Sequence, residues 1–223
     1  MKLEELIEKF GIGTEERRKA INNNRVPESF KNIAQCILSG HFEIREGTEI
    51  ARRVFPTCVE IYYHEESNNK DAIKDYIVYH RKKYDKAPGL FSLGSFNTHQ
   101  SGIDITFEYQ DNNGNEVRAS ALIRKYLMED YRYKVNSPLT IKNKIVDDRS
   151  TYLYEALFAD LSIIKGFSIQ WIDGKEQKDI ADPIFRKNVL PYEKDDKDAH
   201  KIRTNIKNDG RCWQFSVKNQ NYE

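Results

Sequence analysis

Glu60 and Tyr62 stand two residues apart in Thr57–Tyr63, a run of β-branched and aromatic residues that predicts a strand. Alternation along it puts Cys58, Glu60, Tyr62 and His64 on one face, and Val59, Ile61 and Tyr63 on the other. A carboxylate on a half-buried strand can hold and deprotonate a water as a general base, its pKa tuned by burial. A tyrosine beside it can stack a flat ligand. Burying a lone carboxylate is costly. The commoner arrangement for such a pattern is a solvated face on which Glu60 pairs with a lysine or arginine.

A second concentration of polar groups lies between Ser95 and Arg124. His99, Ser101 and Asp104 sit on a glycine-containing segment that leads into a strand, with Ile103, Ile105 and Phe107 alternating against Asp104 and Thr106. Asp111, Asn112, Asn113 and Gly114 make a hairpin turn. The returning strand, Ala119 to Arg124, is expected to bring Arg124 to the same side as Asp104. Convergence of His64, His80, His99 and Asp104 would suit zinc, manganese or iron, although their spacings match no metal motif. Taken singly, His99 is expected to hydrogen-bond its own loop, and Asp104 to cap a turn or pair with Arg124. Arg81, Lys82, Arg203 and Arg211 are candidate phosphate contacts. Acidic Asp195, Asp196 and Asp198 dilute the carboxy-terminal basic face.

These groups need a scaffold. Leu3, Leu6, Ile7 and Phe10 share one helical face. Thr14, followed by acids and then Arg17 and Arg18, reads as a capped helix start. Ser29 to Leu38 predicts a further helix behind Pro27, closed by Gly40. Phe42 to Arg53 reads as a short mixed region that Pro56 interrupts. A helix is expected over Asp148–Leu161 and a strand over Phe167–Ile172. A final hairpin is expected from Arg203–Ile206 and Cys212–Val217. The fold class is therefore α+β: a mostly antiparallel curved sheet or open barrel, with an N-terminal helical lead-in and flanking helices. Residues 1–223 form a single domain, with 1–40 as the lead-in and 41–223 as the α+β core.

With 223 residues the chain can bury a substantial core without metals or disulfides. A hydrophobic fraction of 39% and a charged fraction of 32% describe a polar globular protein rather than a disordered one. The formal net charge of +1 gives no global attraction to nucleic acid or membrane, so a DNA-binding role needs a local basic face. Cys36, Cys58 and Cys212 are odd in number and far apart, which points to reduced thiols in a cytoplasm. The amino terminus reads as an amphipathic start rather than a signal peptide, and no apolar run approaches membrane-spanning length. No nucleophile elbow, phosphate-binding loop, dinucleotide fingerprint or zincin motif is present.

Across residues ~30 to 223 the order and spacing of four segments resemble the alkyladenine (3-methyladenine) DNA glycosylase family. Cys58-Val59-Glu60-Ile61-Tyr62-Tyr63 is similar to that family's catalytic strand, in which a glutamate precedes a base-stacking tyrosine by two residues. His80 resembles its base-pocket histidine, and Ala121-Leu122-Ile123-Arg124 its apolar strand ending in an arginine near the catalytic water. Arg203 to Asn219 is similar to its terminal strand. The sequence departs from the pattern at Phe91 to Asp104, where Asp104 falls near the family's pocket asparagine, and at His64-Glu65-Glu66, which replaces a glycine turn.

The resemblance implies base flipping and hydrolysis of an N-glycosidic bond, without metal or other cofactor. Glu60 and Arg124 would be catalytic; Tyr62 and His80 would sandwich the base, and His99, Ser101 and Asp104 would shape and read its pocket. DNA is the implied partner and a monomer the expected state. The alternatives are a metal-dependent hydrolase or nuclease built on His64, His80, His99 and Asp104, or a non-catalytic module for nucleic acid or protein.

Overall fold

Two strands of unusual length form the spine of the molecule. In the computed structural model, which describes residues 2–75, 78, 89–99, 101–131, 144–147, 150–184, 211 and 213–218, β2 spans Glu49–Glu65 and β6 spans Glu116–Asp130. At 17 and 15 residues they exceed the usual strand length. Their antiparallel ladder runs from Arg52↔Asp130 to Glu65↔Val117. Shorter strands dock on its two edges. β1 (His41–Glu46) and β9 (Gln214–Ser216) share the outer edge of β2. β4 (Gly102–Thr106), β5 (Tyr109–Gln110) and β7 (Lys144–Asp147) share that of β6. β3 (Phe96–His99) extends the sheet beyond β4, and β8 (Phe167–Ile172) beyond β1. The fold is α+β, with an open, curved antiparallel sheet.

The curvature follows from one contact. Phe42 on β1 and Phe96 on β3 are four strands apart in the sheet order, yet their ring centroids are 5.4 Å apart. In a flat sheet, four strand spacings would separate them by roughly 19 Å. The sheet curls around its apolar face, which carries Val59, Ile61, Tyr63, Ala119, Ala121, Ile105 and Phe107.

Helices α1 (Leu3–Glu8), α2 (Thr14–Asn22) and α3 (Glu28–Ser39) precede the sheet. In α3, Phe30, Ile33, Ala34, Ile37 and Leu38 recur at helical spacing and are all buried. Phe30 packs on Tyr63 and Trp213 at 5.7 and 5.1 Å, and Phe10 meets Phe107 at 4.7 Å. α2 is fastened by charge. Arg18 Nε donates to the buried Glu65 carboxylate at 2.7 Å, which also accepts from the Tyr63 hydroxyl at 2.8 Å and the Ile73 amide at 3.2 Å. Arg17 donates to the Tyr109 hydroxyl at 2.6 Å and lies 4.1 Å from the centre of the Phe10 ring.

Four expectations need correction. Thr14 does not cap α2; Gly13 holds the cap position with φ +92°, and the Thr14 hydroxyl contacts Tyr109 instead. Phe42 to Arg53 is a hairpin rather than a mixed region, because β1 and β2 pair across a tight turn at Gly47. Pro56 does not interrupt the strand, since a register shift beside it absorbs the missing donor. The helix expected to reach Leu161 is a 3-10 turn, Ser150–Tyr152, and a short α4, Leu153–Phe158. Arg203–Ile206, half of the expected final hairpin, lies outside the described residues.

The hairpin turn after β5 is built on Asp111. Its Oδ1 accepts the Asn113 and Asn115 amides, both at 2.9 Å. Burial works against its charge, but the Asn115 side chain, these two amides and Arg18 outweigh that and hold its pKa below the ordinary carboxylate value. A depressed native pKa contributes stability above the unfolded value, near pH 4, and loses it as pH falls through the native value. Asp111→Asn is therefore expected to be less stable at neutral pH and to show a shallower loss of stability on acidification, as read by urea unfolding at a series of pH values.

Candidate functional site

The face of the spine opposite the helices is polar, and it is buried. Glu60 and Leu122 are directly paired, and Leu122 is directly paired with Asp104 in turn, so the three share one row across three strands. The row below carries Tyr62, Ser120 and Thr106. Glu60, Ser120 and Thr106 are fully buried, Asp104 is 2% exposed and Tyr62 8%. The solvated face expected for Glu60 is therefore overturned.

Tyr62 and Arg124 help to make the burial of Glu60 tolerable. The Tyr62 hydroxyl donates to its Oε2 at 2.7 Å, and Arg124 Nη2 lies 2.7 Å from the same oxygen. Arg124 also reaches the Tyr62 hydroxyl, at 3.4 Å. Arg124 falls in the register shift between the Cys58↔Lys125 and Val59↔Ile123 pairs. Such bulges re-aim side chains, and here the guanidinium lands on the carboxylate. Burial disfavours the Arg124 charge, but Tyr62 and Glu60 outweigh it and raise its pKa above the ordinary value. The Cys58 thiol is pushed up to about 11, first by burial and then by the Glu60 charge, against a hydrogen bond with Gln214.

The second centre lies two strand spacings away, roughly 10 Å. His99 Nδ1 accepts the Ser101 amide at 3.1 Å, and its Nε2 lies 3.2 Å from Asp104 Oδ2. Both side chains are almost wholly buried, at 4% and 3% exposure. Histidine does engage its own loop, whereas Asp104 pairs with His99 while Arg124 turns to Glu60. Gly102 starts β4 at φ +133°, and a Cβ there would stand 2.9 Å from the Ser150 carbonyl oxygen. The Ser150 hydroxyl donates to the Ser101 carbonyl. The 3-10 turn before α4 thus clamps the loop that presents His99.

The remaining candidates are dispersed or outside the described residues. His64 Nδ1 accepts the Asp75 amide at 3.1 Å, and its Nε2 lies 3.4 Å from Glu66. Among the described residues no three His, Cys, Asp or Glu side chains form a metal-ligating group. His80, Arg81, Lys82 and Arg203 lie outside the described residues. Arg211 donates to the Lys74 carbonyl at 3.0 Å and packs 4.9 Å from the Trp213 ring centre, a structural use of its charge. Sequence reasoning missed Ser120 and Gln214 on the Glu60 face; their alternation with apolar neighbours was the available signal. It also missed Arg118, fully enclosed with Glu108 at 3.0 Å and Glu116 at 2.7 Å.

No protein family, curated protein or solved structure matches the chain. No helix among the described residues is long and apolar enough to cross a membrane.

Two measurements test this geometry. Arg124→Leu strands a buried carboxylate and should lower stability by about 3–5 kcal/mol in urea unfolding, whereas the Glu60→Leu, Arg124→Leu double variant should recover much of that loss. In a Cys36→Ser, Cys212→Ser background, thiolate absorbance should titrate near pH 11 for Cys58 and at lower pH once Glu60→Gln removes the charge.

Proposed function

We propose that the chain is a DNA N-glycosylase-like hydrolase that acts on a modified or alkylated base. One observation carries this reading: a fully buried glutamate, a tyrosine hydroxyl and an arginine meet within 2.7–3.4 Å on one sheet face. Their order in the sequence is the one the glycosylase resemblance rests on. A carboxylate beside a guanidinium is suited to a reaction in which positive charge develops on a sugar while water attacks it.

In this reading the Glu60–Arg124 ion pair is the closed, resting form. Glu60 is wholly enclosed, so substrate entry has to open this face. Arg124 is the more exposed partner, at 17% of its side chain against 0% for Glu60, and is the one that swings aside. A water then bridges the two groups. Glu60 takes a proton from that water as the water oxygen bonds to the sugar carbon; the bond to the base breaks, and its electron pair goes with the base, which alkylation at a ring nitrogen has made cationic and which leaves neutral. Arg124 orients the water or the neighbouring phosphate. Leu122, between the two polar centres, forms an apolar floor for the flipped base. The His99–Asp104 pair reads its edge, and Tyr62 borders it. DNA is the partner in this reading, and the chemistry requires no metal.

The test is release of free base from alkylated duplex DNA under single-turnover conditions. Wild type is expected to release base, and Glu60→Gln to lose at least about 100-fold in rate, in the range for loss of a general base. Equal release by both proteins would remove Glu60 from the chemistry. Salt-sensitive DNA binding without any release would instead make the chain a non-catalytic binding module.

A further inference from the structure

On the opposite side of the β3–β4 hairpin from His99 and Asp104, a cavity of about 540 Å³ opens between α1 and the sheet. Alternation separates the two sites: Asn97 and Asp104 face one way, Phe96 and Ile105 the other. The cavity walls are Phe42, Phe96, Trp171 and Ile105, with Leu3 and Ile7 from α1. Its three aromatic rings are set edge to face. Phe42 lies 5.0 Å from Trp171 and 5.4 Å from Phe96, with interplanar angles of 70° and 66°.

Among the described residues that line the cavity, the charged ones are all acidic. Glu4, Glu8 and Asp173 line the cavity, and no lysine, arginine or histidine does so among its described lining residues. Asp173 is fixed in place, its Oδ1 accepting the Leu3 amide and the Trp171 indole N–H, both at 3.0 Å. Glu4 and Glu8 are exposed on α1. Aromatic and aliphatic walls suit an apolar body, while the carboxylates at the rim favour a cationic head.

We infer that this cavity is a binding site for a small organic cation: an amine or quaternary ammonium head on an apolar, aromatic-sized body. The body fills the space between Ile105 and the aromatic walls, and the head sits at the carboxylates. The volume lies in the range of small-molecule sites. An anionic ligand would meet three carboxylates with no counter-charge among the residues named. The site is independent of the reading given to Glu60.

Titration calorimetry with phenylbutylamine, phenylbutanol and phenylbutyrate tests this, because the three share a body and differ in charge. The amine is expected to bind about tenfold tighter than the alcohol, and the carboxylate weakest. Glu4→Lys with Glu8→Lys, exposed positions on α1, should abolish the preference for the amine; Glu49→Lys, an exposed charge reversal on β2, should leave it intact. Circular dichroism checks that each variant is folded. Equal affinity for all three ligands would overturn the proposal, as would no binding at millimolar ligand to folded protein. So would an amine preference that survives the α1 reversal, or one that Glu49→Lys removes equally.

Discussion

The β2–β6 ladder sets the terms for every other part of the molecule. It carries an apolar face and a polar face along the same two strands, and both are buried. The apolar face is satisfied by helices and aromatic packing. The polar face has no such simple solution, because each enclosed carboxylate, hydroxyl or guanidinium needs a partner of matching geometry. Glu60 with Arg124 and Tyr62, Asp104 with His99, and Arg118 with Glu108 and Glu116 are the solutions adopted on that face, and Glu65 with Arg18 and Tyr63 is the one on the helix side.

These pairs do two kinds of work. Arg18–Glu65 joins α2 to one end of the spine, and Arg52–Asp130 ties both strands at the other end to α4, where Arg52 also donates to the Glu155 and Ala156 carbonyls at 3.2 and 3.1 Å. They bind one element to another, across long stretches of sequence. The Glu60–Arg124 pair joins two strands that the ladder already holds together on either side of the bulge. Replacing such a pair with packed apolar residues is often neutral or stabilising, so stability alone is a weak reason for it. That contrast, together with a bulge that aims Arg124 at Glu60, sets this centre apart from its structural neighbours.

The sheet's local order was legible in the sequence where it rests on alternation. The Glu60 strand, the partition of its two faces, the Asp111–Gly114 turn and the β8 strand follow from period-two patterning and turn chemistry. Patterning failed where compensation came from elsewhere. Pro56 reads as a break because proline lacks an amide, yet a register shift against β6 accommodates it. Thr14 reads as a cap because of its hydroxyl, yet Gly13 takes the left-handed position and Tyr109 takes the hydroxyl. The α4 region reads as a longer helix, yet Ala159 is extended and Asp160 adopts φ +56°.

By itself the sequence determined which residues share a face: Glu60 with Tyr62 on one strand, and Asp104 with Thr106 on another. It also determined the α+β class, because helical and strand periodicities are local properties of the chain. Only the tertiary structure decided that the polar face is enclosed rather than wet, since burial depends on what packs against a strand and not on the strand's own pattern. It alone decided the partners, sending Arg124 to Glu60 rather than Asp104, because a single bulge residue redirects a side chain without leaving a sequence signature. The aromatic cavity likewise exists only because the curled sheet brings Phe42 and Phe96 together from strands four places apart.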